Sequence, residues 1–215
     1  MSTAVVHLAD TPPADDGRLD PDTMTVQTGR RALIRTQALV SGGEHAPLWA
    51  VLGAHGGAGA STLARWWAPA ADTGPAWPAS AASTQDVVIA ARLCIPGLVA
   101  AAERLREWHA GLAPAGVRVI GLVLTAARPG TVPKAVRRYR SVIAELVREV
   151  HEIAWHDELL ATELPDLAQF RPYDPAPPRR ARLSEAVPTD VHRVGAAIFT
   201  HLAAAAAPID TENLS

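Results

Sequence analysis

Residues 48–67 read LWAVLGAHGGAGASTLARWW, and this stretch decides the fold. The apolar run 48–54 is typical of a buried strand, and the three glycines that follow indicate a turn. Ser61 and Thr62 then open a segment with helical periodicity. Backbone N–H groups at such a strand–turn–helix junction can surround an anion. The stretch therefore predicts one unit of an α/β fold with an anion-binding loop.

The loop has the glycines of a phosphate-binding P-loop but not its lysine. The pattern requires Gly-Lys-Ser/Thr at its end, whereas this chain has Gly59-Ala60-Ser61 and its only lysine is Lys134. A charge-assisted hydrogen bond of about 1.5–3 kcal/mol is lost, which weakens phosphate binding roughly tenfold to a hundredfold. Catalysis of phosphoryl transfer depends on positioning and charge neutralisation, so we expect it to suffer more than binding.

These loop residues resemble those of the deviant P-loop ATPases of the ParA/MinD family, whose loop reads Lys-Gly-Gly-x-Gly-Lys-Ser/Thr. His55 and Ala60 stand at the two lysine positions. The positions that match are Gly56, Gly57, Gly59 and Ser61. Stretches at 86–98, 117–125 and 153–157 resemble later strands of that family, so the resemblance covers roughly residues 45–205. It implies a trimmed P-loop NTPase-like (SIMIBI-type) α/β domain, with a mostly parallel sheet flanked by helices.

The chain also departs from the family. Between Thr62 and Asp86 the family places a helix, at least two strands and its metal-binding aspartates, but this chain has a short segment with three prolines. We expect one helix and then irregular chain at 63–85, with Asp72 in a turn. The family's base-reading asparagine is also missing, because the chain reads Thr125-Ala126-Ala127.

Strand ends supply candidate substitutes for the missing charge. Strands are expected near 48–54, 87–92, 117–126 and 152–156, with the loop strand central. Because ligands bind beyond the carboxyl ends of parallel strands, residues just after these strands should face the loop. His55 would add positive charge below its reference pKa of about 6.5. The candidate nucleotide- or phosphate-binding residues are His55, Gly56, Gly57, Ala58, Gly59, Ala60, Ser61, Thr62, Arg92, Arg128 and Asp157. Ser61 is also a candidate Mg²⁺ ligand, and no catalytic residue is assigned.

Composition favours one compact domain at 29–207, with a disordered tail at 1–28 and a frayed tail at 208–215. Helices are expected near 97–110, 133–150 and 189–206. The formal net charge of −2 favours neither nucleic acid nor a membrane surface. A single cysteine and the absence of an apolar leader or span predict a cytoplasmic protein. The scarcity of lysine beside abundant arginine, alanine and proline suggests a high-GC bacterial genome.

The functional expectation is a degenerate P-loop protein that binds nucleotide or phosphate weakly and is not an efficient ATPase. The resemblance implies an accessory or regulatory role beside a protein partner in bacterial partition, conjugation or secretion, with ATP or ADP and Mg²⁺ as the cofactors considered. A homodimer stays open. One alternative is a slow ATP-dependent switch that uses Arg92 or Arg128. Another is a scaffold in which the loop is only a packing turn and no cofactor binds.

Overall fold

The computed structural model describes residues 31–41 and 45–206, so the expected tails at 1–28 and 208–215 lie outside the described residues. The strands are β1 (Leu33–Arg35), β2 (Trp49–Gly53), β3 (Ala70–Gly74), β4 (Ala76–Pro78), β5 (Asp86–Leu93), β6 (Arg118–Ala126) and β7 (Val150–Ile153). The α-helices are α1 (Ala60–Trp66), α2 (Ile95–His109), α3 (Lys134–Ala144) and α4 (Thr189–Ala206). Two short 3₁₀ turns, Asp157–Leu160 and Leu164–Asp166, follow β7.

Five strands form one parallel sheet in the order β3-β2-β5-β6-β7. Alternate residues of β5 point to opposite faces, as strand geometry requires. Val87 and Ile89 join an apolar cluster with α2 and α3, while Val88 and Ala90 join another with α1 and α4. The fold is therefore α/β with helices on both sides of a parallel sheet, as expected.

The expectation of irregular chain after α1 is wrong. β3 pairs with β2 in the main sheet, and β4 forms a separate two-stranded parallel sheet with β1. The prolines do not prevent these short strands, because they stand at the strand ends, where proline is tolerated. Pro69 precedes β3, Pro75 separates β3 from β4, and Pro78 ends β4. Asp72 accordingly lies in β3 and not in a turn.

Smaller differences concern strand order and element ends. β2 is not the middle strand, because β3 extends the sheet beyond it and β5 takes the centre. β7 ends at Ile153, before the expected limit, and α3 ends at Ala144. Leu146 and Val147 continue the buried apolar pattern after the helix has ended, which made the helix look longer in the sequence. None of the described helices combines the length and apolar character needed to cross a membrane.

Candidate functional site

The loop between β2 and α1 is fixed through its carbonyl groups. All five carbonyls from 55 to 59 accept hydrogen bonds from groups of the protein, two of them within the loop itself. Their donors are, in order, the Ala58 N–H (3.3 Å), His55 Nδ1 (2.8 Å), Arg92 Nε (2.8 Å), Thr125 Oγ1 (3.0 Å) and the Leu63 N–H (2.9 Å). Each carbonyl oxygen is thereby engaged within the protein.

The loop N–H groups are in the opposite situation. Within the described part of the chain, the backbone N–H groups at 56, 57 and 59–62 find no acceptor. Gly57 and Gly59 adopt φ angles of +76° and +91°, a backbone conformation that alternates with ordinary ones in anion-binding nests. The same residues line a cavity of about 400 Å³. The loop therefore lines this cavity with hydrogen-bond donors that have no acceptor in the described part of the protein.

Ser61 and Asp72 lie together at one side of the loop cavity. Ser61 Oγ donates to Asp72 Oδ2 at 2.5 Å, and Asp72 Oδ1 accepts from the Gly74 N–H at 2.7 Å. Both side chains line the cavity. The sequence analysis placed no aspartate beside the loop, whereas the structure brings Asp72 of β3 next to the loop hydroxyl. Sequence reasoning missed Asp72 because its position depends on the pairing of β3 with β2.

The donor set at this position suits Mg²⁺. A hydroxyl and a carboxylate supply hard oxygen ligands, and Mg²⁺ is often held by one or two carboxylates together with substrate phosphates and water. The described residues contain no group of three or more His, Cys, Asp or Glu side chains that could hold a metal. A cation here would therefore be bound jointly with a phosphorylated ligand.

The His55 ring is held by the backbone on both sides. Its Nε2 accepts from the Arg92 N–H at 3.2 Å, and its Nδ1 donates to the Gly56 carbonyl. An amide N–H can only donate, so this arrangement requires an unprotonated Nε2 and suits the neutral ring. His55 thus shapes the loop through hydrogen bonds on both sides of its ring.

Arg92 is the strand-end cation that reaches the loop. From the end of β5 its Nε donates to the Gly57 carbonyl and its Nη1 donates to the Ala126 carbonyl, both at 2.8 Å. Thr125, at the end of β6, is buried and donates to the Ala58 carbonyl. These two side chains fix the loop to the neighbouring strands.

A second cavity of about 320 Å³ adjoins the loop. Trp66 from α1 forms part of its wall and is only 2% exposed, and the Trp66 ring meets the His156 ring edge-on with centroids 5.8 Å apart. Trp155 and the half-exposed or exposed leucines Leu160 and Leu164 complete much of the lining. We call this the aromatic cavity. Such walls suit a flat ring, because aromatic groups favour stacked or edge-on contacts.

The other two predicted strand-end residues do not line either cavity. Arg128 is exposed in the turn after β6, two residues beyond Ala126. Asp157 is exposed and its Oδ1 accepts from the Trp155 indole N–H at 2.6 Å. Of these three charged strand-end candidates, only Arg92 reaches the loop.

The His156 ring of the aromatic cavity is paired with a carboxylate of α4. His156 Nε2 lies 3.2 Å from Asp190 Oδ1 at the start of α4, and the Ala154 N–H donates to Asp190 Oδ2 at 2.7 Å. Burial would raise the pKa of Asp190, but the contacts with His156, Ala154 and Val191 outweigh it, so the pKa lies below its ordinary value. The pair joins α4 to the chain segment that follows β7.

Comparison with known proteins adds no family: no family model, curated protein or solved structure matches this chain.

Proposed function

We propose that the protein binds a nucleotide, with the phosphates in the loop cavity and the base in the aromatic cavity. The observation that carries the proposal is the polarity of the loop. Its carbonyls are engaged within the protein, while the N–H groups at 56, 57 and 59–62 lack acceptors in the described chain and line a cavity. Successive backbone N–H groups that face one cavity form an anion-binding concavity, and a phosphate would accept hydrogen bonds from several of them.

The shape of the site supports a nucleotide over a simple anion. Gly59, Thr62 and Arg92 line both cavities, so one ligand can occupy the two together. Apolar and aromatic groups line one part, and backbone donors line the other. A ligand pocket with a few convergent polar groups beside an apolar wall is the arrangement that small-molecule sites favour.

The role proposed for this binding follows the resemblance stated above. We propose a degenerate ParA/MinD-like protein in the cytoplasm that binds nucleotide weakly and acts beside a protein partner. Ala60 supports weak binding, because it lines the loop cavity at the position where a lysine would supply a positive charge. The bacterial partition, conjugation or secretion context belongs to the same proposal.

A second candidate function, slow ATP hydrolysis, is favoured by the contact between Ser61 and Asp72. These two side chains would hold a divalent cation beside the outer phosphates, and the cation would supply charge neutralisation there. Phosphate release that requires Mg²⁺ and disappears in both Ser61→Ala and Asp72→Asn would establish this function. A rate equal to that of buffer would leave nucleotide binding as the whole activity.

Thermal unfolding with a panel of nucleotides, each with and without Mg²⁺, tests the proposal. A ligand that binds only the folded state raises the free energy of unfolding by RT ln(1 + [L]/Kd), about 2.7 kcal/mol at a ligand concentration of 100 Kd. Ala60→Lys should increase the shift by adding the missing charge. A folded Ala60→Lys protein that binds no nucleotide would show that the loop is a packing turn.

A further inference from the structure

Charge is distributed unevenly along the proposed site. Arg92 is the only lysine or arginine among the residues that line either cavity in the described structure. Its two bonded carbonyls, Gly57 in the loop and Ala126 after β6, place its guanidinium at the boundary between the loop cavity and the aromatic cavity. The permanent positive charge of the site therefore lies at this boundary.

The far side of the loop cavity carries the opposite charge. Asp72 lines the loop cavity but not the aromatic cavity, and its carboxylate contacts Ser61 and the Gly74 N–H. No lysine or arginine of the described chain lines the loop cavity on this side. A ligand that extends from the aromatic cavity past Arg92 would therefore meet a carboxylate with its outermost group.

We infer that, in the absence of a divalent cation, this site prefers a nucleoside diphosphate over the corresponding triphosphate. The inference rests on the nucleotide-binding function proposed above. The phosphate nearest the base lies within reach of Arg92, and the next occupies the loop N–H groups. A third phosphate extends towards Asp72, where two negative charges repel each other. A divalent cation between them removes the repulsion, so triphosphate binding depends on the cation far more than diphosphate binding does.

The size of the effect can be bounded from simple electrostatics. Two like unit charges about 6 Å apart, in a medium of effective dielectric constant near 40, repel each other strongly enough to weaken binding about tenfold. We therefore expect ADP to bind about tenfold more tightly than ATP in EDTA, and the gap to close in Mg²⁺. AMP should bind more weakly than ADP, because it offers no second phosphate to the loop.

Isothermal titration calorimetry of the full chain with AMP, ADP and ATP, in EDTA and in Mg²⁺, tests this order. The key variant is Asp72→Asn, which removes the charge and keeps an oxygen that can accept from the Gly74 N–H. It should raise ATP affinity in EDTA about tenfold and leave ADP affinity within about twofold. The matched control is Asp174→Asn, which removes a carboxylate that lines neither cavity and should leave both affinities unchanged.

The outcomes separate this inference from the proposed function. ATP that binds in EDTA as tightly as ADP, or an ATP affinity that Asp72→Asn does not raise, overturns the preference while leaving nucleotide binding intact. No binding of any nucleotide in either buffer overturns the proposed function and this inference with it. If Asp72→Asn does not fold, the order of the wild-type affinities in the two buffers decides the question alone.

Discussion

The loop N–H groups and the carboxylate of Glu107 differ in whether the protein itself supplies their hydrogen-bond partners. Glu107 is 2% exposed, and its oxygens accept from the Trp77 indole N–H at 2.8 Å and from the Ala32 N–H. Arg104, one turn earlier in α2, forms an ion pair with it at 2.9 Å. Every contact of this cluster is made within the chain. The loop N–H groups, in contrast, line a cavity and lack acceptors in the described structure.

The difference separates a structural polar cluster from the proposed binding site. Buried polar groups are normally satisfied by hydrogen bonds, and a set that the protein satisfies itself fixes the fold. Here Glu107 joins α2 to β4 through Trp77 and to the chain before β1 through Ala32. The loop donors lack protein partners at a cavity, which is where the proposed ligand would accept from them. The comparison predicts that changes at Glu107 affect stability alone, and changes in the loop affect binding.

The largest expected effect is that of Glu107→Ala. Removing one partner of a buried ion pair leaves the other charge without compensation and typically costs about 3–5 kcal/mol. Burial lowers the pKa of Arg104, and the negative charge of Glu107 offsets only part of this effect. The charged guanidinium therefore depends on this carboxylate. Urea unfolding should show the loss, while Glu145→Ala, at the exposed position directly after α3, should change stability by less than about 0.5 kcal/mol. A loss below about 1 kcal/mol for Glu107→Ala would show that the cluster does not fix the fold.

Gly59→Ala should affect both stability and binding. Gly59 has φ of +91°, and a Cβ there would lie 3.3 Å from Thr125 Cγ2, so alanine is strained by about 1–3 kcal/mol. We expect the variant to lose nucleotide affinity at least tenfold, because the loop N–H groups move. Gly111→Ala is the matched control, since Gly111 has φ of +66° but lines neither cavity.

The control distinguishes strain from function. Both variants should lower the unfolding midpoint in thermal denaturation, but only Gly59→Ala should lose nucleotide binding by calorimetry. Equal nucleotide affinities of the two variants would contradict the assignment of the loop as the phosphate site.

Thr125→Val tests the anchoring of the loop carbonyls. The substitution removes the hydroxyl that donates to the Ala58 carbonyl at 3.0 Å and keeps the shape of the side chain. A typical hydrogen bond contributes about 0.5–1.5 kcal/mol, so we expect a loss of about 1 kcal/mol in the free energy of unfolding. Nucleotide affinity should fall severalfold through the loop. An affinity identical to that of the wild type would show that the loop does not need this anchor.

The smallest expected effect is a pH dependence at Asp190. Its pKa is lowered in the folded protein by the contacts with His156, Ala154 and Val191, which outweigh burial. A carboxyl with a depressed folded pKa stabilises the protein fully above its unfolded pKa of about 3.9, and this contribution is lost as the pH falls through the folded value. The stability difference between the wild type and Asp190→Asn should therefore shrink between pH 6 and pH 3 in urea unfolding. A difference that stays constant over this range would contradict the assignment.

The sequence predicted the features that depend on a short run of neighbouring residues. The apolar run before the loop and the glycines after it predicted the α/β fold class and the edge of the sheet at which the proposed site lies. The features that were missed depend on which strands pair with each other and in which register. β3 and β4 were missed because their prolines stand at strand ends, where they are tolerated, and Asp72 reaches Ser61 only through the pairing of β3 with β2.

The aromatic cavity was beyond local reasoning for a similar reason. Trp66 and His156 come from distant parts of the chain and meet only when β7 places its following segment against α1. The sequence did contain one signal, since Trp155 and His156 follow a strand of the sheet directly. Arg128 lines neither cavity, because a strand-end position fixes the edge of the sheet but not the direction of the turn that follows.

The most direct measurement of the central claim is an amide ¹H–¹⁵N NMR titration of the full chain with ADP in EDTA. If the loop N–H groups bind phosphate, the largest and saturable shifts should fall on the amides at 56, 57 and 59–62, with smaller shifts near Trp66 and Trp155. The Ala60→Lys protein should show the same shifts at lower ADP concentration. Saturable shifts that leave these loop amides unchanged, or no saturable shift at all, would contradict the account.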